Sequence, residues 1–270
     1  VPPQFPYLDH DGILAFSHRG GVSDWPENTM PAFQHSIDLG YRYLETDVHL
    51  SADGVLYAFH DENVRRTTGV DANIADLESE QIDDLLVAGV ARIPRLAEIL
   101  STWPTARINI DTKSDASVVP TIKALRDHNV LDRVCIGSFV DRRINLCRRE
   151  LGPELCTSMG QREVTRLVAA SKGLADPSLL QAACAQVPTR HIVDITTPQM
   201  VEFAHEQGLQ VHVWTIDEPD EMIRLLSMGV DGIMTDQPAV LRDVLIGLGE
   251  WAPGAPVRGT TQPVPTGATS

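Results

Sequence analysis

Short apolar runs that turn charged at their C-terminal ends alternate along this chain with stretches of helical period. The runs predict strands at 13–17, 43–50, 55–60, 107–113, 134–139, 156–160, 210–216 and 231–236. Between them, helical period predicts helices at 30–39, 96–103, 118–128, 141–151, 198–207, 218–228 and 238–248, with a weaker pattern at 77–86. Asn28-Thr29 supplies a cap for the first helix, Pro31 suits its first turn, and Gly40 suits its end. The stretch 161–209 reads as mostly helical, with room for a short strand near 191–195. About eight strand–helix alternations predict an α/β chain folded as a (β/α)8 TIM barrel rather than an open doubly wound sheet. No Gly-x-Gly-x-x-Gly or Walker loop opens a helix, which weakens a nucleotide-binding fold further.

One barrel domain then occupies 13–250, after an extended, Pro-rich lead-in at 1–12. The polar stretch at about 61–95 breaks the rhythm and reads as a small insertion after strand three, over the barrel mouth. From Trp251 the chain is rich in Pro, Gly, Thr and Ser, so 251–270 is expected to be a disordered tail.

Composition narrows the function classes. The 270 residues are 43% hydrophobic, enough for a sizeable core. An excess of 37 acidic over 22 basic residues gives a formal net charge of −15, which argues against nucleic-acid and anionic-membrane surfaces. A small anionic substrate stays open, because one buried Arg or Lys can dominate a pocket's field. Cys135, Cys147, Cys156 and Cys184 show no Cys-x-x-Cys spacing and read as reduced, mostly buried thiols of a cytoplasmic protein, with Cys184 in helical packing. The first residues carry no signal-peptide pattern, and no run of about 18 apolar residues predicts an integral membrane segment. Oligomeric state is left open.

The chemistry gathers at predicted strand ends, where a parallel sheet presents side chains to ligand. Residues 15–20 read Ala-Phe-Ser-His-Arg-Gly, and His18 pairs a proton-transfer group with the fixed charge of Arg19. On 43–50, Glu45 and Asp47 share one face because a strand repeats every two residues. His60 ends the third run, and Asp111 and Lys113 share a face at the end of the fourth. Any one of these alone is better read as a salt bridge or a hydrogen-bonded rim residue. Six ionisable groups on four strands, all at one end, point instead to an active site. His49 divides evenly between the two readings, and His10, His35, His128, His191, His205 and His212 read as structural or exposed. Three carboxylates without a nearby Cys select a hard cation, Mg2+ or Ca2+, over zinc. Such a cation beside Arg and Lys suits a phosphoryl group, and two histidines suit the acid and base of phosphodiester cleavage.

The ordered set His18-Arg19-Gly20, Pro26-Glu27-Asn28-Thr29, Glu45-x-Asp47, His60-Asp61, Arg66-Thr67-Thr68, Ile93-Pro94-x-Leu96, Asp111-x-Lys113, Ser138-Phe139, Trp214-Thr215 and Thr235-Asp236-x-Pro238 resembles the glycerophosphodiester phosphodiesterase family. The resemblance runs in order from about residue 15 to 240. It implies a TIM barrel that hydrolyses glycerophosphodiesters to glycerol 3-phosphate and an alcohol, the glycerol 2-hydroxyl attacking first through a cyclic phosphate. It further implies that Glu45, Asp47 and Asp111 bind the divalent metal, and that His18 and His60 are the acid/base pair. Arg19 and Lys113 would hold phosphate, and Trp214 would line the substrate pocket. Asp111 stands where the family usually carries Glu, and the insertion departs from the family after Thr68.

Four rival readings fit parts of this pattern. A phospholipase D-like enzyme on lysophospholipids or sphingomyelin shares these residues but needs an apolar channel and rim, whereas the insertion is rich in Asp, Glu and Arg. A Schiff-base aldolase using Lys113 leaves three carboxylates without a purpose. A glycosidase usually wants aromatic platforms, and only 5% of this chain is aromatic. A binding barrel without activity would have lost one of these groups to an inert residue, and none is lost.

Overall fold

The computed structural model describes residues 5–253. Its strands are β1 (Leu14–His18), β2 (Tyr43–Leu50), β3 (Leu56–Ala58), β4 (Leu86–Val87), β5 (Ala91–Arg92), β6 (Arg107–Thr112), β7 (Val134–Gly137), β8 (Cys156–Thr157), β9 (Cys184–Val187), β10 (Gln210–Val213) and β11 (Gly232–Thr235). Eight of them lie side by side in the order β8-β7-β6-β2-β1-β11-β10-β9, every neighbouring pair parallel. Between β8 and β9 the ring is drawn together by a Ser158–Cys184 bridge, with Met159 N donating to Cys184 O at 3.2 Å. The (β/α)8 barrel expected from the alternation is present.

Two expected strands need correction. The run at 55–60 is not a barrel strand: β3 pairs antiparallel with β2, Val48 facing Ala58. The turn at 51–54 is too short for the crossover that a parallel neighbour needs, so the chain can only fold straight back. The missing barrel strand is β9, inside the stretch expected to be helical, and Cys184 therefore lies on a strand. Its local sequence, Ala-Ala-Cys-Ala, favours helix, but burial between β8 and β10 overrides that preference. The stretch 191–195 contributes no strand, only a bridge from Arg190 to Asp194 beside it.

Local chemistry explains the helix starts. Thr29 Oγ1 accepts from Ala32 N to cap the helix Met30–Asp38. The helix Asp115–His128 begins three residues earlier than periodicity suggested, because Ser114 and Ser117 cap each other reciprocally. Apolar layers pack between strands and helices on both halves of the barrel.

The lead-in is not simply extended. Pro6–Leu8 form a 3-10 turn that buries Tyr7 and Leu8 under the N-terminal end of the barrel, where Tyr43 Oη donates to Tyr7 O at 2.8 Å. Trp251 packs on Tyr41 and Pro253 O accepts from Arg42 Nη2, while 254–270 of the expected tail, like the first four residues, lie outside the described residues. The insertion after β3 has its own small core of Tyr57, Val64, Ile74, Ile82, Val87 and Ile93, so it is a folded unit rather than a polar excursion.

Candidate active site

All eight residues singled out in the sequence line one cavity of about 510 Å³ at the C-terminal end of the barrel. His18 ends β1, Glu45 and Asp47 point in from β2, Asp111 from β6 with Lys113 just beyond it, and Trp214 follows β10. His60 follows β3, so the antiparallel return of the chain brings it back over the mouth. Arg19 and Asn28 both hold left-handed backbone, with φ of 55° and 52°, uncommon for side chains larger than glycine. Gly20 and Gly21 follow Arg19 with φ of +83° and +82°. A Cβ on Gly21 would meet Pro238 Cγ at 2.6 Å, so this loop packs directly on the last helix.

Asp47 is the hub of the charges. Lys113 Nζ lies 2.8 Å from Asp47 Oδ1 and 2.7 Å from Asp111 Oδ2. Asn28 Nδ2 donates to Asp47 Oδ2 at 3.0 Å, and Thr46 Oγ1 in turn donates to Asn28 Oδ1. Arg19 Nε comes within 3.1 Å of the same oxygen without forming a hydrogen bond, which leaves a buried guanidinium donor unpaired at the cavity. Burial pushes the Asp47 carboxyl up, but Lys113 and Arg19 outweigh it and hold its pKa below the ordinary value. Glu45 goes the other way: burial, then the charge of Asp47, raises its pKa to about 7. Asp111 is also raised, by burial. The cavity thus holds more carboxylate than Lys113 and Arg19 neutralise. The three carboxylates do not close to within 4.8 Å of one another; among the described residues the set that does is Cys135, Cys156 and Cys184.

Each histidine is fixed by a carboxylate. His18 Nδ1 lies 2.6 Å from Asp236 Oδ1, and its Nε2 lies 3.8 Å from Glu45 Oε2. Burial works against the imidazolium of His18, yet Glu45 and the Asp236 hydrogen bond raise its pKa. Asp217 holds Asp236 in place, accepting from Thr235 Oγ1 and from Asp236 N. On the other side His60 Nδ1 lies 2.6 Å from Asp61 Oδ1. Arg66 donates from Nε to Asp61 and from both terminal nitrogens to Glu27, while Glu27 also accepts from Arg19. Burial opposes ionisation of Asp61, but Arg66 and His60 lower its pKa to about 2. His49 is buried behind the site, with Nε2 3.0 Å from His60 O, and it positions that backbone rather than facing the cavity.

Glu27, Asp61, Arg66, Asp217 and Asp236 were given no role from sequence. Their signal was adjacency: Asp61 follows His60 and Asp236 immediately follows the last strand, but pairing across more than 200 residues is invisible without the fold. His191, read as structural or exposed, lines the cavity. The opposite wall is apolar, built from Phe139, Met159, Val168, Val187, Ile192 and Trp214, with Phe139 59% and Ile192 84% exposed. Phe139 and Trp214 meet edge to face at 5.7 Å. This apolar wall comes from βα loops, the end of β9 and the helix Gln161–Ala170 rather than from the insertion.

The family model of the glycerophosphoryl diester phosphodiesterase family matches residues 18–240. A probable glycerophosphodiester phosphodiesterase 2 of Mycobacterium tuberculosis is 38% identical over 255 residues, covering 92% of this chain and 97% of that protein. A human lysophospholipase D is 28% identical over 266 residues, covering 85% of each. The crystal structure of a protein from Silicibacter pomeroyi named as a putative glycerophosphoryl diester phosphodiesterase superposes with a TM-score of 0.77 at 24% identity, covering 92% of this chain and all of that one.

Proposed function

The chain belongs to the glycerophosphoryl diester phosphodiesterase family, and from that membership we propose that it hydrolyses glycerophosphodiesters to glycerol 3-phosphate and an alcohol, with His18 and His60 as acid and base. The observation that carries the reading is the pair of histidines, each held through Nδ1 by a carboxylate at 2.6 Å, on two sides of one acidic cavity. With Nδ1 held, each ring keeps Nε2 for substrate. One Nε2 takes the proton of the attacking glycerol 2-hydroxyl, and the other gives a proton to the departing alkoxide. Water then opens the cyclic phosphate with the two roles exchanged.

Arg19 and Lys113 hold the phosphate, and the unpaired Arg19 Nε is a donor ready for it. Glu45, Asp47 and Asp111 would hold a divalent cation, Mg2+ or Ca2+. The donor set is all oxygen, and the raised pKa of Glu45 marks uncompensated negative charge, so the residues fit a hard cation. When bound, it would neutralise charge on the phosphoryl oxygens. Lys113 already spans Asp47 and Asp111, so the Glu45 side is where added positive charge gains most. Four free, buried cysteines fit a reducing, cytoplasmic setting, and no helix among the described residues is long and apolar enough to cross a membrane.

The test is release of glycerol 3-phosphate from glycerophosphocholine, with chelator and with Mg2+ or Ca2+ restored. No release under any metal condition would overturn the reading. A second reading, cleavage of lysophospholipids, draws on the apolar wall of Phe139, Val168, Ile192 and Trp214. The same assay on lysophosphatidylcholine separates the two.

A further inference from the structure

At the opposite end of the barrel lies a cluster that phosphodiester chemistry does not use. Cys135 on β7, Cys156 on β8 and Cys184 on β9 are completely buried free thiols, with sulfur atoms all within 4.8 Å of one another. Cys135 faces Cys156 in the β7–β8 register, and the Ser158–Cys184 bridge sets the height of the third. A second observation points into the same place. Tyr7, carried on the turn that plugs the barrel floor, packs with these cysteines, and its buried Oη has no hydrogen-bond partner. A buried hydroxyl without an acceptor is unfavourable, and a thiolate beside it would accept that hydrogen. His212, fully buried, lies against Cys184, with its Nε2 3.2 Å from Gln210 Oε1.

We propose that Cys135, Cys156 and Cys184 form a structural site for a thiophilic d10 cation, zinc(II) or copper(I), under the floor of the barrel. Thiolates select soft cations, and three sulfurs from three adjacent strands would tie together the part of the ring where hydrogen bonding between β8 and β9 is sparsest. A Zn–S bond of about 2.3 Å implies sulfur separations of about 3.8 Å in a tetrahedral site, so the cluster contracts by no more than about 1 Å. Three sulfurs alone suit copper(I); zinc takes a fourth ligand, which His212 supplies only by turning from Gln210 and Gln186 toward the cluster, since the three sulfurs are the set that closes to within 4.8 Å. Binding exchanges the three thiol protons for the metal and releases them to solvent. Because the ligands are fully buried, loading accompanies folding, and a chelator does not strip the folded protein. The oxygen-lined cavity at the other end, being open, gives up its cation to EDTA, which keeps the two sites distinguishable.

The experiment refolds the full chain from denaturant under reductant with Zn2+ alone, Cu+ alone, Co2+ alone or no metal, and then removes loosely held ions with EDTA. One equivalent of zinc or copper retained per chain is expected, with the favoured arm identifying the cation. The cobalt form should show sulfur-to-metal charge transfer. Cys147→Ala, a buried thiol outside the cluster, should keep the metal, and Cys156→Ala should lose it. Should Cys156→Ala fail to fold, titration of the zinc-refolded wild type with a mercurial replaces it: zinc should leave in step with thiol modification. Absence of retained metal from every arm overturns the site, as does retention by a folded Cys156→Ala. So does zinc that stays bound after the thiols are blocked, and in each case the three cysteines are packing residues.

Discussion

Asp236 Oδ1 lies 2.6 Å from His18 Nδ1, and that contact decides which ring nitrogen is left for chemistry. The first and last barrel strands are neighbours, so residues 218 positions apart form one hydrogen-bonded pair. His60 and Asp61 repeat the relationship at the same distance on the other side of the cavity.

If these are the acid and base, His18→Ala and His60→Ala should each lower kcat by roughly 100-fold or more. The double variant should be little worse than the worse single one, because groups acting as a unit are not additive. Turnover of glycerophosphocholine by purified variants measures this. A single variant with near wild-type kcat removes that histidine from the mechanism.

In the proposed mechanism, metal dependence and pH dependence are linked through Glu45. Its pKa in the folded chain, about 7, lies above the ordinary 4.5 because of burial and then Asp47. Folded protein therefore holds this proton more tightly than unfolded chain, and metal-free stability should fall as pH rises from about 4.5 to about 7. His18, raised above its ordinary 6.5 against its burial by Glu45 and Asp236, acts in the same direction. Its contribution is complete below 6.5 and is lost as pH rises through the folded value. Saturating Mg2+ or Ca2+ should flatten the fall and restore activity lost in EDTA. Glu45→Gln should abolish turnover without lowering the neutral-pH Tm. Full activity in demonstrably metal-free protein would sink the metal assignment.

Much of this site was legible because strand ends announce it. A period of two put Glu45 and Asp47 on one face, and the same rule paired Asp111 with Lys113; both pairs line the cavity. The failures have a common physical origin. β9 was hidden because an Ala-rich strand buried between two others has no pattern that separates it from helix. The apolar wall was hidden because Phe139, Ile192 and Trp214 sit on three separate loops that only barrel closure brings together. The cysteine cluster, with spacings of 21 and 28 residues, was invisible for the same reason. Barrel repeats, not local motifs, set those spacings.

Arg66 joins the insertion to the barrel. It bridges Asp61, which holds His60, and Glu27, which holds Arg19. Removing it frees both carboxylates, so Arg66→Ala should cost on the order of tenfold in kcat through misorientation of His60, the scale seen when an orienting partner is lost. Arg66 is half exposed, so its ion pairs add little stability and Tm should change by only a few degrees. Unchanged kcat with unchanged KM would show that the bridge is only a surface contact.

Substrate size is decided between two walls of one cavity. On the polar wall, phosphate and glycerol hydroxyls of a bound diester would meet Arg19, Lys113 and the carboxylates, and an unmet buried donor there costs about 1–3 kcal/mol. On the apolar wall, each CH2 of an acyl chain that reaches Phe139, Val168 or Ile192 gains at most about 0.8 kcal/mol. That gain is diminished because Ile192 and Phe139 are themselves largely solvent-exposed and enclose a chain on one side only. Every productive substrate satisfies the polar wall, whereas only part of a chain can use the other. Glycerophosphocholine should therefore be cleaved with a kcat/KM at least equal to that of lysophosphatidylcholine. Phe139→Ser and Ile192→Ser should weaken only the lysolipid reaction. A diester lacking the glycerol 2-hydroxyl should be a poor substrate, since the attacking oxygen is gone. The measurement is kcat/KM for the three compounds under one metal condition. A clear preference for the lysolipid, lost in Phe139→Ser, would move the assignment to lysophospholipid cleavage, and rapid turnover of the deoxy compound would rule out the cyclic route.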